Sequence, residues 1–202
     1  MANISLLHGE YFHIYNRGNN SELLFRSSEN YKYFLKLYIK HINPIADTLA
    51  YCLMPNHFHF VLRIKEEVDI KTFNDLNLFV DNVKVLSPDR KPKPENQFAH
   101  LFNTYTKAIN KKYHRTGSLF EHPFKRRLIE DERYLQRVIA YTHFNPVKAN
   151  LSKSMNDYLW SSYRDIISGE SKIVNTEYVL NIFGDKDYFK LFHGMPIEDI
   201  EM

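Results

Sequence analysis

Residues 57–64, reading HFHFVLRI, alternate without a break, and that alternation constrains the chain more than any other feature. Successive side chains on a β-strand point to opposite faces. Phe58, Phe60, Leu62 and Ile64 therefore share one face, and His57, His59, Val61 and Arg63 share the other. The wholly apolar set has to face the main core. Both histidines are thereby directed together at something else, as residues i and i+2 roughly 7 Å apart. Two imidazoles so placed can converge on one metal ion. In a chain with 10 histidines, however, an H-x-H pair also arises by accident.

The rest of the chain builds a sheet around that strand. EYFHIYN (10–16) alternates and reads as a strand, followed by a turn at Arg17-Gly18-Asn19-Asn20. A helix capped by Ser28 runs from Glu29 to about His41, with Tyr33, Phe34, Leu37 and Tyr38 at helical spacing, and Asn43-Pro44 stops it. A strand over 47–53 joins the strand over 57–65 through Met54-Pro55-Asn56. Part of 70–80 is expected to be helical, and 87–95 (SPDRKPKPE) is a polar, proline-rich loop.

Further on, the stripe of Phe98, Leu101, Phe102, Tyr105 and Ile109 predicts a helix over 97–113. A short strand is expected near 125–129. A last helix opens at Glu130 or Asp131 and runs to about Phe144, where Pro146 halts it. Leu135, Val138, Ile139 and Thr142 form one face of it; Tyr134, Arg137, Tyr141 and Asn145 form another. The order strand, helix, strand, strand, helix, strand, helix is that of an α+β, ferredoxin-like antiparallel sheet with helices mainly on one face. One domain is expected over 1–165, with 66–96 a loop or variable insertion and 166–202 an acidic tail.

Composition narrows the setting. At 202 residues and 44% hydrophobic, the chain can bury a real core. The single cysteine, Cys52, lies in the apolar run ALAYCLM and reads as a reduced, buried thiol. No signal peptide is recognised and no stretch approaches the ~18 apolar residues of a membrane span, so a cytoplasmic protein without a membrane partner is expected. Net charge is only +3, but its distribution is uneven. From 107 to 127 stand seven basic residues against one acid, Glu121, with Tyr113, Phe120 and Phe124 interleaved and Tyr105 just before. Such a stretch is either a nucleic-acid footprint or a solvated helix face. From 177 to 202 the balance reverses, to six acids and two lysines.

Tyr141 and Asn145 stand one helical turn apart on a shared face. Asn offers a neutral carbonyl oxygen suited to hard cations such as Mg²⁺ or Mn²⁺, and imidazole shifts preference towards Mn²⁺. Each piece alone fits a packing role as well. Together, MPNHFHFVL, RTGSLFEHPFKRR, YTHFNPVKANL, the WSSY of 160–163 and the opening YFHIYNRGNNSELLF resemble the REP-associated tyrosine transposases. These are relatives of the single-tyrosine HUH transposases that move insertion sequences through single-stranded DNA. The resemblance covers roughly residues 10–165, with separated motifs in the right order.

That resemblance implies roles by position. The two HUH histidines fall on His57 and His59, and the tyrosine nucleophile falls on Tyr141. The third metal ligand, a Gln in the insertion-sequence relatives, falls on Asn145. His143 points to another face and reads as structural or DNA-facing. The implied reaction is nicking and strand transfer through a 5′-phosphotyrosine link, with a divalent metal (Mg²⁺ or Mn²⁺) on the scissile phosphate. The implied substrate is single-stranded DNA bearing hairpin-forming repeats. Candidate DNA contacts are Arg17, Asn19, Lys111, Lys112, Arg115, Lys125, Arg126 and Arg127. A homodimer is possible, because the insertion-sequence relatives exchange their tyrosine helices. Two rivals stay open: a non-catalytic, domesticated hairpin-binding protein, and a hydrolytic phosphodiesterase using the two histidines and water.

Overall fold

The computed structural model of the chain describes residues 4–76 and 89–197. Strands β1 (Tyr11–Arg17), β2 (Ala46–Met54), β3 (His57–Ile64) and β4 (Lys125–Ile129) form one sheet in the order β2-β3-β1-β4. Every neighbouring pair is antiparallel. Helix α1 (Ser28–His41) joins β1 to β2, and α2 (Pro94–Lys112) joins β3 to β4. This is the ferredoxin-like α+β arrangement, and each strand lies within about a residue of where alternation predicts it.

Helices α1 and α2 share the face that the phenylalanines of β3 define. Phe34 of α1 meets Phe58 and Phe60 with ring centroids 5.5 and 6.4 Å apart, and Tyr38 stacks on Phe60 at 4.2 Å. Phe102 of α2 stacks on Phe58 at 5.6 Å. Each such buried ring stabilises the fold by roughly 1.5–3 kcal/mol relative to leaving it in water. Ser27, not Ser28, occupies the position just before α1.

The opposite face is also covered. Helix α3 (Glu132–Lys148) lies across it, and Asp131 caps the helix by accepting a hydrogen bond from the Tyr134 amide. Pro146 does not halt α3: the helix runs to Lys148, and the Ala149 amide still donates to the Asn145 carbonyl at 2.9 Å. A proline removes the donor for only one carbonyl four residues back, here that of Thr142. Thr142, Asn145 and Pro146 are all buried against the protein, and that packing holds the last turn together.

The segment expected to be an acidic tail is folded as far as residue 193. It forms α4 (Tyr163–Ser168), α5 (Thr176–Phe183) and α6 (Lys186–His193), and Ile166, Val179, Phe183 and Phe189 enter the core. Three of its acids have ordinary helical duties. Asp185 caps α6 by accepting from the Tyr188 amide, while Glu177 and Asp187 sit in first turns, where negative charge is favourable. Of the helix expected within 70–80, residues 70–76 form only turns, preceded by a single 3-10 turn over Glu67–Asp69; positions 77–80 lie outside the described residues. Among the described residues no helix is long and apolar enough to cross a membrane.

Candidate metal and tyrosine site

The site is built on the sheet face under α3. Residues paired across an antiparallel sheet share a face, so the register defines its floor. Tyr15 pairs with His59 and Arg17 with His57 on one side; Cys52 and Met54 of β2 pair with the same histidines on the other. From β4, Lys125 pairs with Tyr15 and Arg127 with His13. His13, Tyr15, Arg17, His57, His59, Lys125 and Arg127 therefore lie on one surface. Arg126 lies on the other, half-buried, with its guanidinium 5.0 Å from the Phe124 ring centroid.

Two of the motifs lock the start of β3. The Gly18 amide donates to the Asn56 carbonyl at 2.9 Å, and the Leu24 and Phe25 amides both donate to the Pro55 carbonyl. Gly18 is required at that junction, because a Cβ there would sit 2.2 Å from the Glu22 carbonyl oxygen. The turn after β1 and the MPN connection are thus one unit, and His57 emerges from it. Asn56 then takes the His57 ring directly, with its Oδ1 2.7 Å from His57 Nδ1. An amide oxygen can only accept, so Nδ1 carries the proton and Nε2 of His57 keeps its lone pair.

His59 lies deeper, 1% exposed. Its Nδ1 is 3.0 Å from Nε2 of His13, itself buried, and its own Nε2 is buried without a hydrogen-bond partner. An orphaned ring nitrogen inside a protein is costly unless something fills it. The rings of His57 and His59 stand at right angles with centroids 5.2 Å apart. Burial, with Arg17 adding its charge, pushes His57 down to about 4. Burial pushes His59 well below the usual histidine range, with His13 and His57 contributing. Both imidazoles are therefore neutral at pH 7, the form that binds a metal ion.

Tyr141 approaches from α3. Its ring meets that of His59 edge-on, with centroids 6.3 Å apart, and Nζ of Lys148 lies 5.7 Å from the Tyr141 centroid. Asn145, one turn on, is buried and donates from Nδ2 to the Tyr141 carbonyl at 2.9 Å, so its amide oxygen is the end left for other work. Among the described residues no group of three or more His, Cys, Asp or Glu is arranged to hold a metal. The groups that could hold one are the two neutral imidazoles, one with an orphaned Nε2, with the Asn145 oxygen the further candidate from α3. A mixed nitrogen and oxygen set of this kind suits Mn²⁺ or Mg²⁺.

His143 turns away from this site, as its position two residues from Tyr141 implies. Fully buried, it places Nδ1 2.9 Å from Nε2 of His193 on α6 and Nε2 2.8 Å from Oγ of Ser162. His193 Nδ1 donates to the Phe189 carbonyl at 2.7 Å. The WSSY segment runs along the outer edge of β2: Leu53 N–H donates to the Trp160 carbonyl, and Ser162 Oγ accepts from the Tyr51 amide. That motif joins the edge strand to α3.

The basic residues divide. Arg17, Lys125 and Arg127 are exposed at the rim of the histidine surface, Lys125 5.9 Å over the Tyr15 ring and Arg127 5.5 Å over the Tyr134 ring. Lys111 and Lys112 are exposed at the end of α2, the helix on the other side of the sheet. Arg115 is committed internally: it pairs with Glu22 and donates to Asn110. Asn19 ties the turn to the Ser118 carbonyl at 3.2 Å. Tyr105 is core, and its hydroxyl donates to the Leu24 carbonyl; Tyr113 donates to Asn30 and carries Arg26 over its ring at 4.7 Å. The sequence reading missed His13. The alternation of EYFHIYN signals which face it occupies, but only the β1–β3 register brings it to His59.

Fold and site together define a ferredoxin-like protein with an H-x-H pair on a central strand and a tyrosine delivered by a helix crossing that face. No family model matches the chain. A Haemophilus influenzae protein assigned as a REP-associated tyrosine transposase is 23% identical over 124 residues, which are 61% of this chain and 62% of that relative. The match thus spans less than two-thirds of the relative's length. The solved structure of a REP-associated tyrosine transposase bound to a REP hairpin superposes with a TM-score of 0.58 at 15% identity, over 86% of this chain and 88% of that one. The resemblance to REP-associated tyrosine transposases carried by the motifs is borne out, in sequence by the first and in fold by the second.

Proposed function

We propose that this chain nicks and rejoins single-stranded DNA, with Tyr141 as nucleophile. The observation that carries the reading is the meeting of Tyr141, from α3, with His59, whose Nε2 is buried and unpartnered, beside the neutral His57. His57, His59 and the Asn145 oxygen would hold a divalent ion, which when bound would supply Lewis-acid polarisation of a phosphate. A phenol has an ordinary pKa of about 10 and needs such a setting to attack at neutral pH. Tyr141 Oη forms a bond to phosphorus as the bond from phosphorus to the 3′-oxygen breaks, and the proton lost by the phenol is made up, through solvent, at that oxygen, which leaves as a 3′-hydroxyl. The resulting 5′-phosphotyrosine conserves the diester, so a second 3′-hydroxyl reverses the step without ATP.

The substrate proposed is DNA with hairpin-forming repeats, since a relative of this fold is described bound to a REP hairpin. Arg17, Lys125 and Arg127 contact its phosphates, which set affinity and salt dependence more than sequence choice. Tyr141 is only 4% exposed. A DNA strand therefore reaches it only once the end of α3 shifts from the sheet.

The test is a denaturing gel of protein mixed with labelled single-stranded hairpin DNA and Mn²⁺ or Mg²⁺. A covalent adduct requiring both Tyr141 and metal is expected. Binding without any adduct, across a panel of bound DNAs, replaces this reading with that of a non-catalytic hairpin binder.

A further inference from the structure

We infer that His13 is the positioning residue of the metal centre, accepting the Nδ1 proton of His59 and so reserving His59 Nε2 for the ion. The inference rests on the two-histidine reading above and adds a residue to it. A neutral imidazole carries one proton, and the nitrogen that holds it cannot ligate. For His57 the choice is made by Asn56 Oδ1, which can only accept. For His59 the corresponding partner is another imidazole, Nε2 of His13, 3.0 Å from His59 Nδ1. If His13 donated, the proton of His59 would sit on Nε2, the buried atom that has no protein partner. If His13 accepts, that atom is a lone pair directed where a ligand is wanted.

His13 has the placement for this task. It lies on β1, the strand beside β3, directly across from Val61, and is 1% exposed, so it has little freedom to turn. Its ring lies nearly parallel to that of His59, interplanar angle 22°. Tyr15, two residues along the same face, packs beside both rings, its centroid 4.9 Å from that of His13 and 6.0 Å from that of His59. Histidines that bind metals are generally held through their second nitrogen by such an outer partner, whose loss costs about 10–100-fold in metal affinity.

The experiment compares wild type with His13→Phe, which keeps a ring and removes the acceptor, and with His13→Gln, whose amide oxygen restores it. The tautomer of His59 is read by long-range ¹H–¹⁵N NMR in the metal-free protein, and Mn²⁺ affinity by calorimetry. In wild type the proton is expected on His59 Nδ1; finding it on Nε2 overturns the inference without any variant. H13F is expected to weaken Mn²⁺ binding about 10–100-fold, and H13Q to recover most of the loss. Unchanged affinity in a folded H13F, or H13Q as weak as H13F, overturns it too. His59→Ala separates the two layers. If H59A abolishes Mn²⁺ binding while H13F does not alter it, only the role of His13 falls; if H59A binds normally, the metal centre falls and this inference with it.

Discussion

The ring of His59 lies edge-on to the ring of Tyr141 with centroids 6.3 Å apart, although the two residues are 82 positions apart in the chain. β3 supplies one and α3 the other, and each is buried when they meet. That contact decides what single substitutions at the site do.

Tyr141→Phe keeps the ring against His59 and removes only the hydroxyl. Strand cleavage and covalent capture of DNA should disappear, while affinity for the same DNA stays within about twofold and the fold stays intact. Gel capture alongside equilibrium binding checks this, and an adduct formed by the Phe variant would assign the nucleophile elsewhere.

The two histidines proposed as metal ligands should differ in what else they cost. Either Ala substitution should lower Mn²⁺ affinity by more than the loss of an outer partner does, beyond about 10–100-fold. His59→Ala empties a fully buried position and should also destabilise by about 2–5 kcal/mol. His57→Ala, at a half-buried strand end, should cost distinctly less. Calorimetric titration and denaturant melts of both variants separate the effects.

Charge removal sorts the basic residues. Lys125→Ala and Arg127→Ala should weaken DNA binding across sequences and each lower the salt slope by about 1. Arg115→Ala should act on stability instead, by about 1–3 kcal/mol, since its guanidinium serves Glu22 and Asn110. A salt titration of binding beside a thermal melt tells the two classes apart.

Acid should unfold the protein through its buried histidines. Burial pushes His193 down to about 4 and His143 well below the ordinary value of 6.5. The unfolded chain therefore binds more protons than the folded one below about pH 6.5, so stability is full above that pH and falls as pH drops towards 4. Each such group contributes up to about 1.4 kcal/mol per pH unit in that window. Tm measured from pH 7.5 to 4.5 should decline, and less steeply in a folded His143→Gln variant. A flat profile would contradict the burial of these rings.

DNA engagement should loosen α3. Because Tyr141 is buried, hydrogen exchange over 141–148 should quicken when the proposed hairpin DNA binds, while β1 and β3 stay protected. Unchanged exchange in α3 would mean that the strand reaches Tyr141 by another route.

How legible all this is in the sequence depends on the range of the interaction. Alternation in 57–64 fixes both faces of β3, and the phenylalanine stripe fixes where α1 and α2 lie, because both are local periodicities. Register is not local. That His13 pairs with Val61, and so meets His59, depends on the turn at Gly18 docking on Asn56. Likewise, Lys125, Arg126 and Arg127 are one basic run in sequence, yet the pleat sends the middle one to the opposite side. Asp185 reads as part of a solvated tail because its capping partner is a backbone amide, which no composition reveals. Pro146 reads as a stop because the packing that keeps α3 going past it comes from distant residues.

Tyr141 and His143 stand two residues apart on one helix and serve different neighbours. The first meets the sheet, the second is clasped by Ser162 and by His193 near the end of the described chain. The position of the helix that carries the proposed nucleophile is thus set partly by residues packed on its other face. A substitution at His193 should therefore reach the proposed nucleophile indirectly: His57 and His59 keep their places on β3, while the helix that carries Tyr141 loses a support on its far side.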